Sequence, residues 1–227
     1  MMIRPSPSKS SQRQAAISVR LSPAYPARAS SSPSRSDALV SAAVSTLSGA
    51  GRGTGRFRAH TVFTEKQGHG LGFGDISGKG RGDFVLHNGW LEAPTDPYKG
   101  EWIMHADWDL GSASVPILVV DVNGDGLNDL IVGGAHRYGL ELYEQVRKGD
   151  KISWIKHDID PYNSQYHDMQ WLDLDGDGQP ELLTGKRYRA HCGNDPGAYD
   201  PVGLYYFKWN GESFSKQVID YGPARVG

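Results

Sequence analysis

The sequence predicts an all-β fold of about three similar four-stranded units, and three observations support this prediction. First, a glycine-rich acidic loop occurs at residues 121–129 and 173–181, and a degraded copy precedes both at residues 75–83. Second, each loop is followed by a short apolar run with β-branched or bulky residues, which is too short for a helix. Third, the loops begin about 50 residues apart, and four short antiparallel strands in such a repeat are typical of a β-propeller blade. The chain is therefore expected to form a partial β-propeller.

Apolar runs bounded by turn residues give the expected strands of each unit, in chain order. An additional run at residues 57–63 precedes the first unit and is interpreted as a stray fourth strand. A propeller ring normally has at least four blades, so three units are not enough to close one. The expected strands are 71–74, 84–87, a short stretch near Trp90 and 101–107 in the first unit; 115–120, 130–132, 139–144 and 152–159 in the second; and 167–172, 182–184, 202–209 and 213–219 in the third.

Residues 1–56 differ in composition from the rest of the chain. They are rich in Ser, Pro, Arg, Ala and Gly with few aromatic or periodic apolar residues, so they cannot bury enough surface to offset the entropy cost of ordering. The sequence therefore predicts a disordered segment at 1–56 and propeller blades at 57–227. An Arg-rich, Ser-rich and acid-poor segment also fits an organelle transit peptide, and a misassigned start codon would give the same composition.

The distribution of charge and the single cysteine exclude several classes of protein. Residues 1–56 contain eight Lys or Arg and one acid, whereas residues 57–227 contain 16 basic and 25 acidic side chains. An acidic body favours cations over nucleic acid, whose phosphates need a basic surface. No apolar stretch reaches membrane-spanning length. Cys192 is the only cysteine, which excludes an intrachain disulfide framework.

The middle loop has the side chains of a calcium site at alternate positions. Oxygen-bearing residues occupy relative positions 1, 3, 5 and 9, and a glycine at position 6 allows the turn that brings them together. The bidentate Glu that closes an EF-hand at position 12 is replaced by Val132, so weak affinity is expected, on the order of 0.1 to 1 mM. The predicted ligands are Asp121, Asn123, Asp125, Asp129 and the backbone carbonyl of Leu127.

The other two loops repeat this pattern to different degrees. In the first loop Asp75 and Asp83 are kept, but Ser77 and Lys79 occupy positions 3 and 5, and the Lys79 ammonium is expected to replace the metal. In both acidic loops a hydrogen-bonded Asx turn without metal is the alternative interpretation. Calcium is favoured because four converging acids would repel one another without a cation. The predicted ligands of the third loop are Asp173, Asp175, Asp177, Glu181 and the carbonyl of Gln179.

These loops and the apolar strands that follow them resemble the FG-GAP and VCBS repeats of integrin-type and bacterial propellers. The resemblance covers residues 57–227 and is specific in the second and third repeats. It implies a fragment of a seven-bladed ring in which calcium is structural and stabilises the blades. It also implies a module that binds carbohydrate or protein, as part of a larger secreted or cell-surface protein. Missing blades would come from self-association or from a longer parent chain.

A second group of polar residues is expected near the axis of the propeller. His69 and His167 each lie six residues before the first Asp of a loop, on inner strands that line the axis. These residues would suit an anionic or polyhydroxylated ligand, or a transition metal if three imidazoles meet. The alternative is that they are ordinary polar residues at the ends of the blades. The predicted pocket consists of His69, His87, His136, His167, Lys186, Arg187, Tyr188 and His191.

The repeated histidine also resembles, as a local pattern only, the propeller part of aldos-2-ulose dehydratase, a sugar lyase. That resemblance implies an enzyme acting on a keto-sugar, with His69 or His167 as the base and Lys186 or Arg187 stabilising the enolate. A sugar lyase or dehydratase is therefore the alternative to a binding module. The turn-rich segment 192–201 is expected to be either a packed connector or a loop that contacts the ligand.

Overall fold

The computed structural model describes residues 17–19, 40–47, 53–65 and 67–222. The chain divides into two compact units, Met1–Lys66 and Gln67–Gly227. The boundary therefore lies ten residues after the predicted one at 56/57.

The described residues of the first unit form a three-stranded antiparallel sheet. Its strands are β1 (Ile17–Val19), β2 (Val40–Leu47) and β3 (Gly53–Phe63), in the order β1-β2-β3. Residues 57–63 pair with β2, so their assignment to a propeller blade was wrong. The strands also differ from the disorder predicted for 1–56, because antiparallel pairing satisfies their backbone groups. Residues 1–16, 20–39 and 48–52 lie outside the described residues, and their disorder stays a prediction.

The second unit consists of three four-stranded antiparallel sheets, here called blades A, B and C. This confirms the predicted all-β fold of partial propeller blades. Blade A contains β4 (Leu71–Gly74), β5 (Asp83–Leu86), β6 (Gly89–Glu92) and β7 (Ile103–His105). Blade B contains β8 (Leu118–Val120), β9 (Asp129–Gly133), β10 (Tyr138–Lys148) and β11 (Lys151–Ser164). Blade C contains β12 (Tyr166–Leu172), β13 (Glu181–Lys186), β14 (Val202–Trp209) and β15 (Phe214–Gly222).

In each blade the strands are hydrogen-bonded in chain order, and the acidic loop connects the first strand to the second. Outside the strands, the described residues contain one short 3-10 turn at Ala190–Gly193 and no α-helix. Within the described part of the chain, no helix has the length and apolar character needed to cross a membrane.

Glycines allow the backbones of neighbouring blades to approach each other closely. Gly72 forms a parallel bridge with Ile117, and a Cβ at Gly72 would lie 2.5 Å from the carbonyl oxygen of Ile117. Gly133 has the same role between blades B and C, because a Cβ there would lie 2.6 Å from the carbonyl oxygen of Tyr166. Both contacts are closer than any side chain tolerates, so glycine is required where the blades meet.

The core lies between the blades and is divided into two clusters. Successive residues of β9 point to opposite faces of blade B, as expected for a strand. Leu130 and Val132 pack with Val85 and Trp90 of blade A, whereas Ile131 packs on the other side. The second cluster, between blades B and C, is formed by Val122, Ile131, Leu140, Leu142, Tyr166, Met169, Leu182, Tyr205 and Phe207. All three blades are therefore fixed relative to one another, and the inner strands bring their ends together.

Candidate functional site

The first and last acids of each loop are bound by the loop's own backbone. In the middle loop, Asp121 accepts hydrogen bonds from the N–H groups of Gly124 at 2.8 Å and Gly126 at 2.9 Å. Asp129 accepts a bond of 3.0 Å from the N–H group of Val122. Because the first loop has such bonds despite its lysine, these acids have a folding role that needs no cation. Corresponding bonds are made by Asp75, Asp83, Asp173 and Glu181.

A residue on the third strand of each blade faces the loop and distinguishes the three loops. This residue comes directly after the third-strand residue that pairs with the beginning of the second strand. It is Glu92 in blade A and Lys208 in blade C. In blade A, Glu92 forms an ion pair with Lys79 of the loop. In blade C, Lys208 lies 3.0 Å from Asp177, which occupies the loop position of Lys79. The same charge pair therefore occurs in both blades with its signs reversed.

In blade B this position is Glu144, and the loop residue that faces it is Asp125. Both members of the pair are therefore acids. Asn123 Nδ2 donates a hydrogen bond of 3.3 Å to Asp125 and one of 3.4 Å to Glu144, so the two carboxylates face each other across one amide. His157 Nε2 lies 2.8 Å from the second oxygen of Glu144. Among the described residues, no Lys or Arg forms an ion pair with the acids of this loop or with Glu144.

Burial raises the pKa of Asp129 to about 6, although its bonds to backbone N–H groups oppose the change. Repulsion from Asp125 and Asp121 adds to the increase. The middle loop therefore carries an excess of negative charge, which a bound cation would relieve.

The third loop contains a carboxylate cluster that already has an internal cation. One oxygen from each of Asp173, Asp175 and Glu181 lies within 4.8 Å of the others. Lys208 Nζ lies 2.5 Å from Asp175 and 3.3 Å from the buried Oε1 of Glu181. Hydrogen bonds to Asp175 and Asp177 raise the pKa of Lys208 above its ordinary value. A metal ion in this loop would have to displace the ammonium group.

The two residues that were predicted to ligate calcium through their carbonyls take part in turns within the loops. The N–H group of Leu127 donates 2.8 Å to Asp125, and that of Gln179 donates 2.8 Å to Asp177. Coordination by their carbonyls stays a prediction.

Three of the predicted histidines meet at the opposite end of the blades. One ring nitrogen from each of His69, His136 and His167 lies within 4.8 Å of the others. The ring centroid of His69 is 4.8 Å from that of His136 and 5.0 Å from that of His167, and both pairs are edge-on. His69 precedes the first strand of blade A, His136 lies in the turn between β9 and β10, and His167 is the second residue of β12. Each blade thus contributes one imidazole.

Hydrogen bonds fix the orientation of two of these rings. His69 Nδ1 donates 2.7 Å to the carbonyl oxygen of Ala113. His136 Nδ1 donates 2.8 Å to Asp195, which also accepts from Arg187 at 3.3 Å and from His191 at 2.9 Å. The Nε2 atoms of His69 and His136 are consequently left as acceptors. Burial lowers the pKa of His167, and the neighbouring Arg187, His69 and His136 lower it further.

The remaining predicted pocket residues surround this cluster in different ways. His191 stacks on His136, with ring centroids 4.5 Å apart. Lys186 is buried and donates 3.4 Å to the carbonyl of Arg187, and burial lowers its pKa. His87 accepts a bond of 3.2 Å from the N–H group of Gly68 and so supports the segment that carries His69. Tyr188 is exposed.

A cavity of about 280 Å³ opens beside the histidine cluster on blade C. It is lined by residues of β12, β13 and β14, including His167, Thr184, Lys186 and Leu204, and by Arg187, which follows β13. The buried ammonium of Lys186 and the guanidinium of Arg187 give this cavity a basic wall.

Exposed tyrosines surround the end of the blades that carries the histidines. Tyr138 begins β10 and pairs with Ser164, two residues after Tyr162. Its hydroxyl donates 2.6 Å to Asp200 in the segment that follows β13. The Tyr199 ring in that segment lies 5.6 Å from the guanidinium carbon of Arg189. The exposed tyrosines at this end are Tyr138, Tyr162, Tyr188 and Tyr199.

Sequence reasoning missed three residues that decide the chemistry of these sites: Glu144, Lys208 and Asp195. Glu144 and Lys208 face the loops from the third strand of their blades. The number of residues between each of them and its loop depends on the length of the turn between the second and third strands. Asp195 lies in the segment 192–201, which was predicted to be either a packed connector or a loop that contacts the ligand; contact with a ligand stays a prediction. The segment packs through Ala198, which is buried, and it also contacts the histidine cluster through Asp195.

Comparison with known proteins supports the repeat. A search of curated proteins gave no match. The resemblance to aldos-2-ulose dehydratase is not supported by any of these comparisons. Residues 121–184 match the family described as the FG-GAP-like repeat, over the middle loop, the rest of blade B and the third loop. The predicted resemblance is confirmed for this region, and the chain therefore contains an FG-GAP-like repeat at residues 121–184.

Proposed function

We propose that this chain is a calcium-stabilised propeller repeat module, and that the middle loop is its principal calcium site. The observation that carries the proposal is the pair of like charges formed by Asp125 and Glu144. Blades A and C place a lysine in the corresponding pair, whereas blade B has none. A divalent cation would supply the missing positive charge.

The oxygen donors around this loop fit a hard cation of the size of calcium. Calcium takes six to eight oxygens from carboxylates, amide carbonyls, backbone carbonyls and water. Asp121, Asn123 and Asp125 supply three side chains from the loop, and Glu144 adds a carboxylate that replaces the missing acid at position 12. Asp129 accepts backbone hydrogen bonds on both of its oxygens and holds the loop in shape. Affinity in the millimolar range suits extracellular fluid, which favours a secreted protein.

Thermal unfolding of the full chain in calcium and in chelator tests this proposal. An ion that binds only the folded state stabilises it by about 1.4 to 2.7 kcal/mol when its concentration is about 10 to 100 times Kd. The substitution Glu144→Gln is expected to remove most of this increase, and Glu101→Gln, on an exposed residue of another blade, is the control. An unchanged calcium response in Glu144→Gln would contradict the proposal.

The ligand-binding role is proposed for the end of the blades that carries the exposed tyrosines. Tyrosine rings present a flat apolar face and a polar hydroxyl, which suits stacking on sugar rings. The neighbouring Arg187 and Asp195 supply charged groups for hydroxyl or carboxylate recognition. These features favour a carbohydrate over a protein ligand, because a polar rim of separate rings offers little continuous apolar area.

Affinity electrophoresis in gels containing neutral and acidic polysaccharides tests the ligand class. The full chain is expected to be retarded, and Tyr162→Ala and Tyr199→Ala are expected to lose the retardation. Tyr98→Ala is the matched control, because Tyr98 lies in the connection between β6 and β7 at the other end of the blades. Equal retardation of all variants would contradict this placement of the ligand.

A further inference from the structure

We infer that His69, His136 and His167 form a transition-metal site of the zinc class, with a coordination position left open for water or a ligand oxygen. The site is separate from the acidic loops and does not depend on the calcium proposal. It is supported by the convergence of the three rings, by the hydrogen bonds that orient two of them and by the chemistry of the donor set.

The three rings have the arrangement that a shared ion requires. Their lone pairs lie in the ring planes, and the planes are nearly perpendicular, at 84° to 88° to one another. The donor nitrogens lie within 4.8 Å of each other. Zn–N distances of 2.0 to 2.1 Å place tetrahedral ligands about 3.3 to 3.4 Å apart. The donors therefore need to approach by no more than about 1.5 Å, which tilting of half-buried imidazoles permits.

The hydrogen bonds of His69 and His136 use Nδ1 of each ring and leave Nε2 free to ligate a metal. A metal-bound histidine typically donates its other ring N–H to a backbone carbonyl or a carboxylate. His69 has the first partner, the carbonyl of Ala113, and His136 has the second, Asp195. Among the described residues, no hydrogen bond is made to Nε2 of either ring. Both Nε2 atoms are therefore available to ligate a metal.

The charges around the cluster are compatible with a divalent ion. Arg187 Nη2 lies 3.1 Å from His136 Nδ1, and its positive charge is opposed by Asp195 at 3.3 Å. Neutral imidazoles without a thiolate favour zinc, copper, nickel or iron over calcium and magnesium. Three histidines with a free fourth position are typical of zinc sites that bind water or a ligand.

A second set of donors shares His136 and is the competing arrangement. His136, His191 and Asp195 also have ligand atoms within 4.8 Å of one another. In this set Asp195 accepts hydrogen bonds from Nδ1 of both rings, so these nitrogens carry protons and cannot ligate. The His191 side chain is also 61% exposed. The set with His69 and His167 therefore fits a metal better.

Titration of the full chain with Co2+ in calcium-saturated buffer tests the inference. Cobalt is expected to bind with one-to-one stoichiometry, to give the visible absorption of a four- or five-coordinate ion with nitrogen ligands, and to be displaced by Zn2+. The substitutions His69→Gln, His136→Gln and His167→Gln are each expected to lower affinity at least 100-fold. Asp195→Asn, which alters the orientation of His136, is expected to lower it about 10-fold to 100-fold.

Matched controls distinguish this site from binding by a histidine elsewhere in the chain and from loss of the fold. His105→Gln removes a histidine that stacks on Trp90 in blade A, outside the cluster, and is expected to leave binding unchanged. The urea-unfolding midpoint of each variant in metal-free buffer checks that its blades are folded. Loss of binding in His191→Gln with normal binding in His69→Gln would assign the ion to the competing set and overturn the inference. Absence of one-to-one cobalt binding to the folded wild-type chain would overturn it as well.

Discussion

The substitution Glu144→Lys gives blade B the lysine that blade C has at the corresponding position. Asn123 Nδ2 lies 3.3 Å from Asp125 and 3.4 Å from Glu144, so the two acidic oxygens are no more than about 7 Å apart. Two like charges at this distance repel by about 0.6 kcal/mol in water and by more where the dielectric constant is lower. Replacing the repulsion by an attraction, as for Lys208 and Asp177, is expected to stabilise the chelated protein by about 1 kcal/mol, since these groups are exposed.

The same substitution is expected to remove most of the response to calcium. For a Kd of about 0.1 to 1 mM, the wild-type protein gains about 1.4 to 2.7 kcal/mol in about 10 mM calcium. The Glu144→Lys variant is expected to gain much less, because its ammonium group occupies the place of the ion. Urea unfolding with calcium and with chelator measures both quantities, and Glu101→Lys controls for the change in net charge. A variant that is less stable in chelator, or that keeps the full calcium gain, would refute the reasoning.

Three further predictions concern other parts of the second unit. Lys208→Glu is expected to destabilise the chelated protein and to increase its calcium response, as seen by the same unfolding assay. Burial opposes the ionisation of Asp160, but hydrogen bonds led by Lys216 lower its pKa to about 2. Its charged form therefore contributes up to about 2 kcal/mol above pH 4, which is lost as the pH falls through 2; acid titrations of Asp160→Asn should lack this component. Gly72→Ala is expected to cost about 1 to 3 kcal/mol in urea unfolding, whereas Gly222→Ala, where a Cβ meets nothing closer than 4.0 Å, is expected to cost less.

The strands of the blades were predictable because each has a local signal. Apolar runs between turn residues predicted β4 and β14 with the bounds that the structure shows. The strand predicted at 115–120 begins only at Leu118, for two physical reasons. Pro116 has no N–H group to donate to a sheet. The N–H group of Ile117 donates 2.7 Å to Leu71 of the neighbouring blade instead of to blade B. Contacts between blades are not visible in a local pattern.

In the first unit, the existence of a strand was predictable but its pairing partner was not. Residues 57–63 were predicted to form a strand, but a local pattern does not specify which strand it pairs with. The strand pairs with residues 40–47, whose Ser and Thr residues made that segment less apolar than the blade strands. A strand's existence is encoded locally, whereas its pairing depends on which sheet edge is available.

The same distinction explains why the loops were predictable and their differences were not. The ligands of a loop are separated by fixed intervals, so Asp121 and Asp125 were found from spacing alone. Glu144 reaches the loop through a β-hairpin, and the connection before the third strand has two residues in blade A, four in blade B and 15 in blade C. No fixed interval connects Glu144 with Lys208. Their alignment becomes visible only when the strands are paired.

Pairing the strands also changes the interpretation of the first loop. From sequence, Lys79 is a departure from a calcium-binding pattern. In the structure, Lys79 and Glu92 form the same pair as Asp177 and Lys208 with the charges exchanged. Both pairs place one positive and one negative group where the third strand faces the loop, so the charge at this position is balanced within the chain. Because Glu144 prevents this in blade B, the middle loop is where calcium should contribute most to the stability of the blades.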